Sequence, residues 1–454
     1  MKVSRLSVLS MSHLQDPTPT AHEHRTQVRR AAIASTIGTT IEWYDYFLYG
    51  TASALVFPHL FFPGVSPYIG TLAAFATYFV GFLARPVGAA IFGHWGDRIG
   101  RKVMLIVTLL MMGISTALIG ILPGSDSWGD AAPIILILLR VIQGIAVGGE
   151  WSGSVLLSME WGDQKRRGLM GSWPQLGVAI GLILSTGMMT IFNGIFGKDA
   201  FVTWGFRIPF LLSLVLVAIG LYIRLKIMET PQFSKVVAQQ ETTTAPLLQV
   251  FRRFPKEIIL AALLRMSEQM PFYVVTAFVL SYMTSGEHGH DYTYSFVLIG
   301  TLIAAGGEFV LVPLFGLFSD TIGRKKIYAW GAAIMGVWGF VYFALLDSGV
   351  TWLAFLALCL GLVPHAMQYG PQASIIAESF PTNLRYTGAG LGYQLSSIIA
   401  GGPAAFIATW LIHQFGTGYA VSVYILISAV ITLIALKLLK DRSRADITDE
   451  ATFQ

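Results

Sequence analysis

The chain alternates between long apolar stretches and short polar breaks. Crossing a hydrocarbon core of about 30 Å takes roughly 20 helical residues, because a helix rises about 1.5 Å per residue. Twelve stretches are long enough, so the pattern predicts an all-α membrane protein with twelve transmembrane helices. The predicted spans are 31–57, 68–93, 102–122, 131–158, 168–193, 203–224, 257–284, 293–318, 326–346, 350–377, 386–413 and 419–440.

The longest polar break separates the first six predicted spans from the last six. The pattern therefore predicts two six-helix bundles joined by a linker and flanked by two tails. No cleavable signal peptide is expected, because the apolar patch in the first tail is too short for one. The predicted parts are a tail at 1–30, a bundle at 31–224, a linker at 225–256, a bundle at 257–440 and a tail at 441–454.

Composition supports a protein embedded in a lipid bilayer. Of the 454 residues, 54% are hydrophobic and 12% are charged, whereas soluble domains carry about 25% charged residues. A net charge of +5 could suggest nucleic acid as a partner. However, most basic residues lie in the two tails, in the linker and after the even-numbered spans. By the positive-inside rule both termini are expected in the cytoplasm, with the spans in a plasma or inner membrane and no nucleic acid partner.

The two predicted bundles repeat each other. Gly93–Lys102 follows the second span, and the similar Gly316–Lys325 follows the eighth. A second match comes at nearly the same offset, where Glu160 and Arg167 correspond to Glu378 and Arg385. Parallel repeats of this kind are related by an axis normal to the membrane, and their interface is where a substrate site is expected.

Two carboxylates lie inside the first predicted span. Glu42 and Asp45 are three residues apart, so they share one face of a helix. A carboxylate that faces lipid is costly, and this face must meet a cavity or a partner charge. Such groups can carry a proton, with a structural ion pair as the alternative. Arg140 of the fourth span is expected to meet Asp45 and to leave it for a substrate carboxylate, which would couple the two events.

Several motifs resemble those of a known family. The Gly-x-x-x-Asp-x-x-Gly-Arg-Lys motif in both halves and Arg140-Val-Ile-Gln143-Gly144 are similar to signatures of the major facilitator superfamily. Glu42-Trp-Tyr-Asp45, Gly148-Gly-Glu150-Trp-Ser-Gly153 and Glu378-Ser-Phe-Pro381 resemble its metabolite:proton symporter family, which includes shikimate, 2-oxoglutarate, citrate, dicarboxylate and proline/betaine carriers. The resemblance covers about residues 30–440, and Arg265-x-x-Glu268 looks nearest to the shikimate-type branch. It implies a two-lobed fold, and proton coupling through the first-helix acid and Arg140.

A polar stripe on the seventh predicted span is the main candidate for substrate contact. Arg265, Gln269, Tyr273 and Thr276 recur at helical spacing, and Glu268 could neutralise Arg265 when the site is empty. Hydrogen bonding between helices is the alternative explanation of the stripe. The full set of expected substrate contacts is Tyr44, Arg140, Gln143, Gln175, Arg265, Gln269, Tyr273 and Gln394.

The repeated motifs are expected to form loops that act as a gate. The alternative is that their basic residues only keep these loops on the cytoplasmic side of the membrane. Asp97 is expected to accept hydrogen bonds from a neighbouring helix N-terminus, Arg98 and Arg101 to bridge to acids such as Glu160, and Asp320 to be a weaker counterpart. The expected gating residues are Gly93, Asp97, Arg98, Arg101, Glu160, Arg167, Asp320, Arg324, Glu378 and Arg385.

Together these features predict a monomeric secondary transporter that imports a small organic anion, such as a shikimate-like monocarboxylate, together with protons. No enzyme activity, cofactor or metal is expected: no nucleotide-binding glycine loop follows a strand, and Glu287–Asp291 has no ligand spacing. Arg85 is expected to snorkel, and His365 to be a packed polar residue. The alternatives are symport of proline or betaine, a passive facilitator, a drug:proton antiporter and a non-transporting sensor.

Overall fold

The computed structural model describes residues 21–65, 67–226, 246–284, 292–447 and 450–453. Helices dominate this part of the chain, and it contains no strand. Eleven of its helices are long and apolar enough to cross a membrane, and they match eleven of the twelve predicted spans. The remaining prediction, the first span, is a 35-residue helix, Ala21–Leu55, that is less apolar than the other eleven. Residues 1–20 of the predicted tail, most of the linker and the Glu287–Asp291 loop lie outside the described residues, whereas residues 21–30 of that tail belong to the first helix.

The helix bounds differ from the predicted spans mainly at their ends. The first six long helices are Ala21–Leu55, Pro67–Ile99, Arg101–Ile121, Ala131–Trp161, Arg167–Phe196 and Arg207–Leu225. The second six are Pro255–Leu264 continued by Met266–Tyr273, Val274–Phe278 and Val279–Thr284; Tyr294–Ile322; Arg324–Leu346; Thr351–Leu360 continued by Val363–Ala377; Arg385–Ser396 continued by Ser397–Gly401 and Gly402–Phe415; and Gly418–Leu438. They are numbered one to twelve below.

The repeated motifs are helical, not loops as predicted. The second and eighth helices continue through their motifs to Ile99 and Ile322. A single glycine then links each to the next helix: Gly100 has φ 122° and Gly323 has φ 114°. An L-residue with a side chain rarely adopts this conformation, which explains a glycine at both positions. The end of the bundle that holds the two motifs is called the motif end below.

Two helices that were predicted to be continuous contain irregularities. The seventh is interrupted at Arg265, and further along Pro271 has no N–H to donate, so the carbonyl of Ser267 instead accepts a hydrogen bond from Gln368 at 3.3 Å. The tenth helix stops at Leu360, four residues before Pro364, and restarts at Val363. Arg265 thus lies at the first interruption, and His365 directly follows Pro364 at the second.

The halves meet through two symmetry-related pairs of helices. The fifth helix packs along the eighth, and the second helix packs along the eleventh. The first pair approaches closely because it crosses at glycine: a Cβ added to Gly168 would lie 2.5 Å from the carbonyl oxygen of Gly316. Within the first half, the first helix packs most extensively on the fifth. The first helix is therefore an integral part of the bundle, and its polar residues lie inside it.

Candidate functional site

At the motif end, an aspartate from each half caps a helix of the other half. Asp97 accepts hydrogen bonds from the backbone N–H of Tyr386 and Thr387, at 3.2 and 3.0 Å, and from the Thr387 hydroxyl at 2.8 Å. Asp320 accepts hydrogen bonds from the N–H groups of Gly168 and Leu169, at 2.7 and 3.0 Å. The free N–H groups of a helix start favour a negative charge, so each aspartate holds the two halves together.

A group of ion pairs surrounds these two aspartates. Arg324 pairs with both Asp320 and Glu378, and Glu378 also lies 3.0 Å from Arg167. Arg385 of the second half lies 3.8 Å from Glu160 of the first half. Six of the expected gating residues thus come together. Asp320 also forms an ion pair with Arg324 at 3.0 Å, in addition to its two backbone contacts, and its expected place as the weaker counterpart of Asp97 stays a prediction.

Three other expected gating residues behave differently from one another. Gly93 packs against Thr387, where an added Cβ would lie 2.7 Å from the Thr387 Cα. Arg98 does not bridge to Glu160 as predicted. It is exposed, hydrogen-bonds to His94 at 3.3 Å and stacks over the Trp95 ring. Arg101 begins the third helix, and its side chain is outside what the structure describes.

In the first half, a hydrogen-bonded chain joins Asp45 to Arg140. Thr116 donates to Asp45 at 2.7 Å, Gln143 donates to Thr116 at 2.7 Å, and Arg140 donates to Gln143 at 3.2 Å. The predicted direct contact between Arg140 and Asp45 is therefore absent. Instead, the guanidinium group of Arg140 lies over three tyrosine rings, at 4.3, 5.0 and 5.3 Å from the centroids of Tyr49, Tyr78 and Tyr46. These rings stabilise a cation away from water.

Glu42 and Asp45 differ from the other buried carboxylates. Oε2 of Glu42 and Oδ1 of Asp45 are buried without a hydrogen-bond partner. Neither forms an ion pair, whereas the other buried carboxylates in the described residues pair with a basic side chain or, at Asp97, cap a helix. An ionised carboxylate with no cationic partner is costly in this setting, and protonation removes that cost. The two first-helix acids can therefore bind a proton reversibly.

Between the halves lies a small cavity that contains most of the seventh-helix stripe. Its lining comes from the first, fifth, seventh and tenth helices: Trp43, Val178, Arg265, Glu268, Gln269, Phe272, Tyr273, His365 and Tyr369. The Arg265 Nε lies 3.1 Å from Glu268, and its Nη1 donates to the Tyr393 carbonyl at 2.6 Å and to the Ser396 hydroxyl at 2.8 Å. The Tyr273 hydroxyl is buried without a partner. Arginine, amide and hydroxyl groups facing one cavity can bind a small anion.

Of three further polar residues, Thr276 and Tyr44 lie away from the cavity and Gln269 faces it. Thr276 donates to the Phe272 carbonyl of its own helix at 2.7 Å. The Tyr44 hydroxyl donates to the Pro209 carbonyl at 2.7 Å and packs inside the first half, so its predicted place in the substrate site is wrong. Gln269 faces the cavity and bonds to the eleventh helix, where the Ser396 hydroxyl donates to its Oε1 at 2.8 Å.

Gln175 and Gln394 bridge the two halves in a symmetric way. Gln175 of the fifth helix donates to the carbonyl of Tyr369 at 3.4 Å, and Gln394 of the eleventh donates to the carbonyl of Val147 at 3.4 Å. Trp151 also donates to Gln175 at 3.0 Å. Both amides are therefore engaged in contacts between halves, and neither lines the cavity.

Sequence reasoning missed three buried basic residues. Arg85 does not snorkel: it is buried, with its guanidinium carbon 4.7 Å from the centroids of both the Tyr46 and Phe82 rings. Arg224, the last residue of the sixth predicted span, is buried and pairs with Glu150. His365 lines the cavity and contacts two carboxylates. A signal was available for Arg85 and His365, because an ionisable residue inside a span is a functional candidate.

No group of three or more His, Cys, Asp or Glu side chains capable of holding a metal ion occurs among the described residues. The site combines buried carboxylates and arginines with a cavity between two repeated bundles. Such a combination is typical of a two-lobed membrane transporter with its site between the repeats.

The chain belongs to the Major Facilitator Superfamily, whose family model matches residues 36–402 and 307–453. This is a family of transporters and not of enzymes. A solved structure, that of the proton:xylose symporter XylE bound to 6-bromo-6-deoxy-D-glucose, has the same fold with a TM-score of 0.76 and 17% sequence identity, covering 95% of this chain and 100% of that one. The twelve-helix, two-bundle fold predicted from the sequence is thereby confirmed.

Two curated relatives indicate which members of the superfamily this chain is similar to. The shikimate transporter of Escherichia coli (strain K12) is 41% identical over 423 residues, which cover 92% of this chain and 96% of the relative. The glycine betaine/proline/ectoine/pipecolic acid transporter OusA of Dickeya dadantii (strain 3937) is 32% identical over 424 residues, covering 91% of this chain and 84% of the relative. These matches confirm the predicted superfamily and the predicted resemblance of this chain to shikimate-type carriers.

Proposed function

We propose that this protein imports a small hydroxylated monocarboxylate, of which shikimate is an example, together with protons by alternating access. It acts as a monomer in the inner or plasma membrane, with both termini and the motif end in the cytoplasm and no nucleic acid partner. The observation that carries the proposal is the cavity between the halves, which is lined by Arg265 and by Tyr273, whose hydroxyl has no hydrogen-bond partner. A guanidinium fork matches a carboxylate, and hydroxyl and amide groups match substrate hydroxyls.

Energetics favours protons as the coupling ion. Moving one charge across a membrane costs or yields about 2.3 kcal/mol per 100 mV, so an anion that enters an inside-negative cell is opposed unless protons accompany it. Asp45, with Glu42 and Arg140, is proposed to carry the coupled proton. Its support is that both acids are buried and form no ion pair in the described part of the chain. A passive facilitator would have no use for such groups.

The motif end is proposed to be a gate. Asp97 and Asp320 connect the halves through helix starts, and Gly93, Arg167, Arg324, Glu378 and Arg385 complete the contact region. Opening the cavity toward this end requires these contacts to break. They therefore favour the conformation that is closed at the motif end, because contacts present in only one of two states shift the population toward that state.

Symport of a zwitterion such as proline or betaine is the second candidate. Four aromatic residues line the cavity, Trp43, Phe272, Tyr273 and Tyr369. Aromatic faces bind quaternary ammonium groups well. The anion is preferred because Glu268, the carboxylate that would hold a cationic end, is already bound to Arg265, His365 and Gln372.

Uptake competition separates the two candidates. Radiolabelled shikimate is offered to proteoliposomes with an inward proton gradient, and 2-oxoglutarate, citrate, proline and betaine are added as competitors. We expect saturable shikimate uptake that a protonophore abolishes and that betaine leaves unchanged. Arg265→Lys keeps the charge but loses the planar fork, so shikimate affinity should fall at least ten-fold. Competition by betaine or proline with no effect of any carboxylate would reject the anion assignment.

A further inference from the structure

Behind Arg265, three titratable side chains from three helices form one buried cluster. The His365 Nε2 lies 3.2 Å from Oε1 of Glu268, and its Nδ1 hydrogen-bonds to Oε1 of Glu308. All three side chains are at most 3% exposed. Glu268 and His365 line the cavity, whereas Glu308 lies behind the imidazole on the eighth helix. The cluster is separate from the first-helix acids that are proposed to carry the coupled proton.

The geometry fixes how many protons the cluster holds. A neutral imidazole donates through one nitrogen only, and an ionised carboxylate donates through neither oxygen. Two hydrogen bonds between one imidazole and two carboxylates therefore require two shared protons. The cluster of Glu268, His365 and Glu308 then has a net charge of −1, which the +1 charge of Arg265 balances. The empty site is electrically neutral as a whole.

A substrate anion disturbs this balance. Its carboxylate needs the Arg265 face that Glu268 now occupies through Nε, at 3.1 Å. Arg265 cannot move away, because Nη1 is held by Tyr393 and Ser396, and the guanidinium lies 3.4 Å from the centroid of the Tyr393 ring. Glu268 already has other partners in His365 and Gln372, the latter at 2.8 Å. When the substrate carboxylate replaces Glu268 on Arg265, the buried site has one excess negative charge. This charge is costly unless the site also gains a proton.

We propose that Glu268 is a built-in occupant of the substrate-carboxylate position on Arg265, and that its displacement by substrate loads one proton onto the Glu268–His365–Glu308 cluster. This inference rests on the proposed function and adds to it a second proton-binding site, in the half opposite Asp45. The anion and its proton then enter the same half of the protein together.

Other titratable groups around the cluster do not change this count. Arg265 and Tyr273 approach from the seventh helix and Tyr369 from the tenth. Tyr328 of the ninth helix accepts a hydrogen bond from Gln372 at 3.1 Å, and it donates to the Leu264 carbonyl at 3.0 Å. The tyrosines are neutral at physiological pH. Arg265 is thus the one permanent charge that directly faces the cluster in the part of the chain that the structure describes.

Proton uptake on binding, measured without transport, tests the proposal. Purified Asp45→Asn protein is titrated with shikimate by calorimetry in buffers of different ionisation enthalpy, which gives the number of protons taken up per ligand. The Asp45→Asn change removes the proposed coupling acid, and we expect uptake of about one proton to remain, also when Glu42→Gln is added to remove the other first-helix acid. Adding Glu268→Gln removes the resident charge, so uptake should fall to near zero and affinity should rise about ten-fold, within the range of common couplings.

A matched control is Glu150→Gln in the same Asp45→Asn background. Glu150 is also buried and paired with an arginine, Arg224, but it lies in the other half. This variant should keep the uptake of about one proton. Infrared difference spectra on shikimate addition give a second readout, because a newly protonated carboxyl adds a carbonyl band that Glu268→Gln should remove.

The outcomes separate this proposal from the proposed function. Shikimate binding to Asp45→Asn with no proton uptake and no new carboxyl band contradicts the second proton site and leaves the anion assignment intact. Uptake that persists unchanged in Glu268→Gln also contradicts it. If neither the unsubstituted protein nor Asp45→Asn binds any carboxylate, the proposed function is wrong and the second proton site is rejected with it.

Discussion

Replacing Asp97 with asparagine should open the motif end. The carboxylate now accepts two backbone hydrogen bonds and one hydroxyl hydrogen bond from the start of the eleventh helix. Asparagine offers one oxygen, and its amide group would place N–H against N–H at the other position. The substitution removes the charge and at least one contact while leaving the side-chain volume nearly unchanged.

The size of the effect follows from those contacts. A hydrogen bond to a charged group contributes about 1.5–3 kcal/mol and a neutral one about 0.5–1.5 kcal/mol, and a charge at a helix start adds about 0.3–1 kcal/mol. Loss of the charge should therefore cost about 2 kcal/mol in the closed state. If the open state does not contain these contacts, the population should shift about 30-fold toward it.

Cysteine reactivity measures that shift directly. The chain has one cysteine, Cys359, so Cys359→Ala provides a cysteine-free background. Ser152 is buried between the halves, where a Cβ on Gly390 would lie 2.6 Å from its hydroxyl oxygen, and Ser152→Cys reports opening. Asp97→Asn should raise its alkylation rate by up to about 30-fold. Ser213→Cys, buried in the sixth helix, should stay unreactive. An unchanged rate at Ser152→Cys would refute the assignment of Asp97 to a gate.

Three further substitutions test the described contacts. Asp320→Asn should also raise the reactivity of the same reporter, because Asp320 loses its charge at a helix start and its ion pair with Arg324; an unchanged rate would argue against a gate built from both halves. Tyr44→Phe should lower unfolding stability by about 1 kcal/mol, through loss of the bond to Pro209, with no change in shikimate KM; a higher KM would return Tyr44 to the substrate site. Arg224→Met should lower the free energy of unfolding by about 3–5 kcal/mol, because it leaves Glu150 buried without its partner, and adding Glu150→Met should restore most of that stability. If the second substitution restores none, loss of the Arg224–Glu150 ion pair does not explain the destabilisation.

The sequence was sufficient for the fold because two independent signals agree. Hydrophobic length defines the spans, and the repeated Gly-x-x-x-Asp motif relates the two halves. The helix ends at Ile99 and Ile322 were not predictable from hydropathy, because a helix leaving the membrane keeps its backbone hydrogen bonds while its side chains become polar. The motifs are polar, and a hydropathy pattern does not distinguish a polar helix end from a loop, so they were expected to be loops.

The sequence was sufficient to predict which residues belong to the site, but not which residues they contact. The spacing of Glu42 and Asp45 correctly gives one buried face, because helical periodicity is local. The distance between Asp45 and Arg140 depends on the packing of two helices, and Thr116 and Gln143 lie between the two residues. Likewise, nothing in the local sequence shows that His365 lies between carboxylates of two other helices.

Asp45 is proposed to couple proton movement to solute uptake, and two transport assays on Asp45→Asn measure that coupling. In proteoliposomes with an inward proton gradient, this variant should not accumulate shikimate. Exchange of external labelled shikimate for internal unlabelled shikimate, which needs no net proton movement, should continue. Concentrative uptake by Asp45→Asn at the unsubstituted level would rule out this role for Asp45.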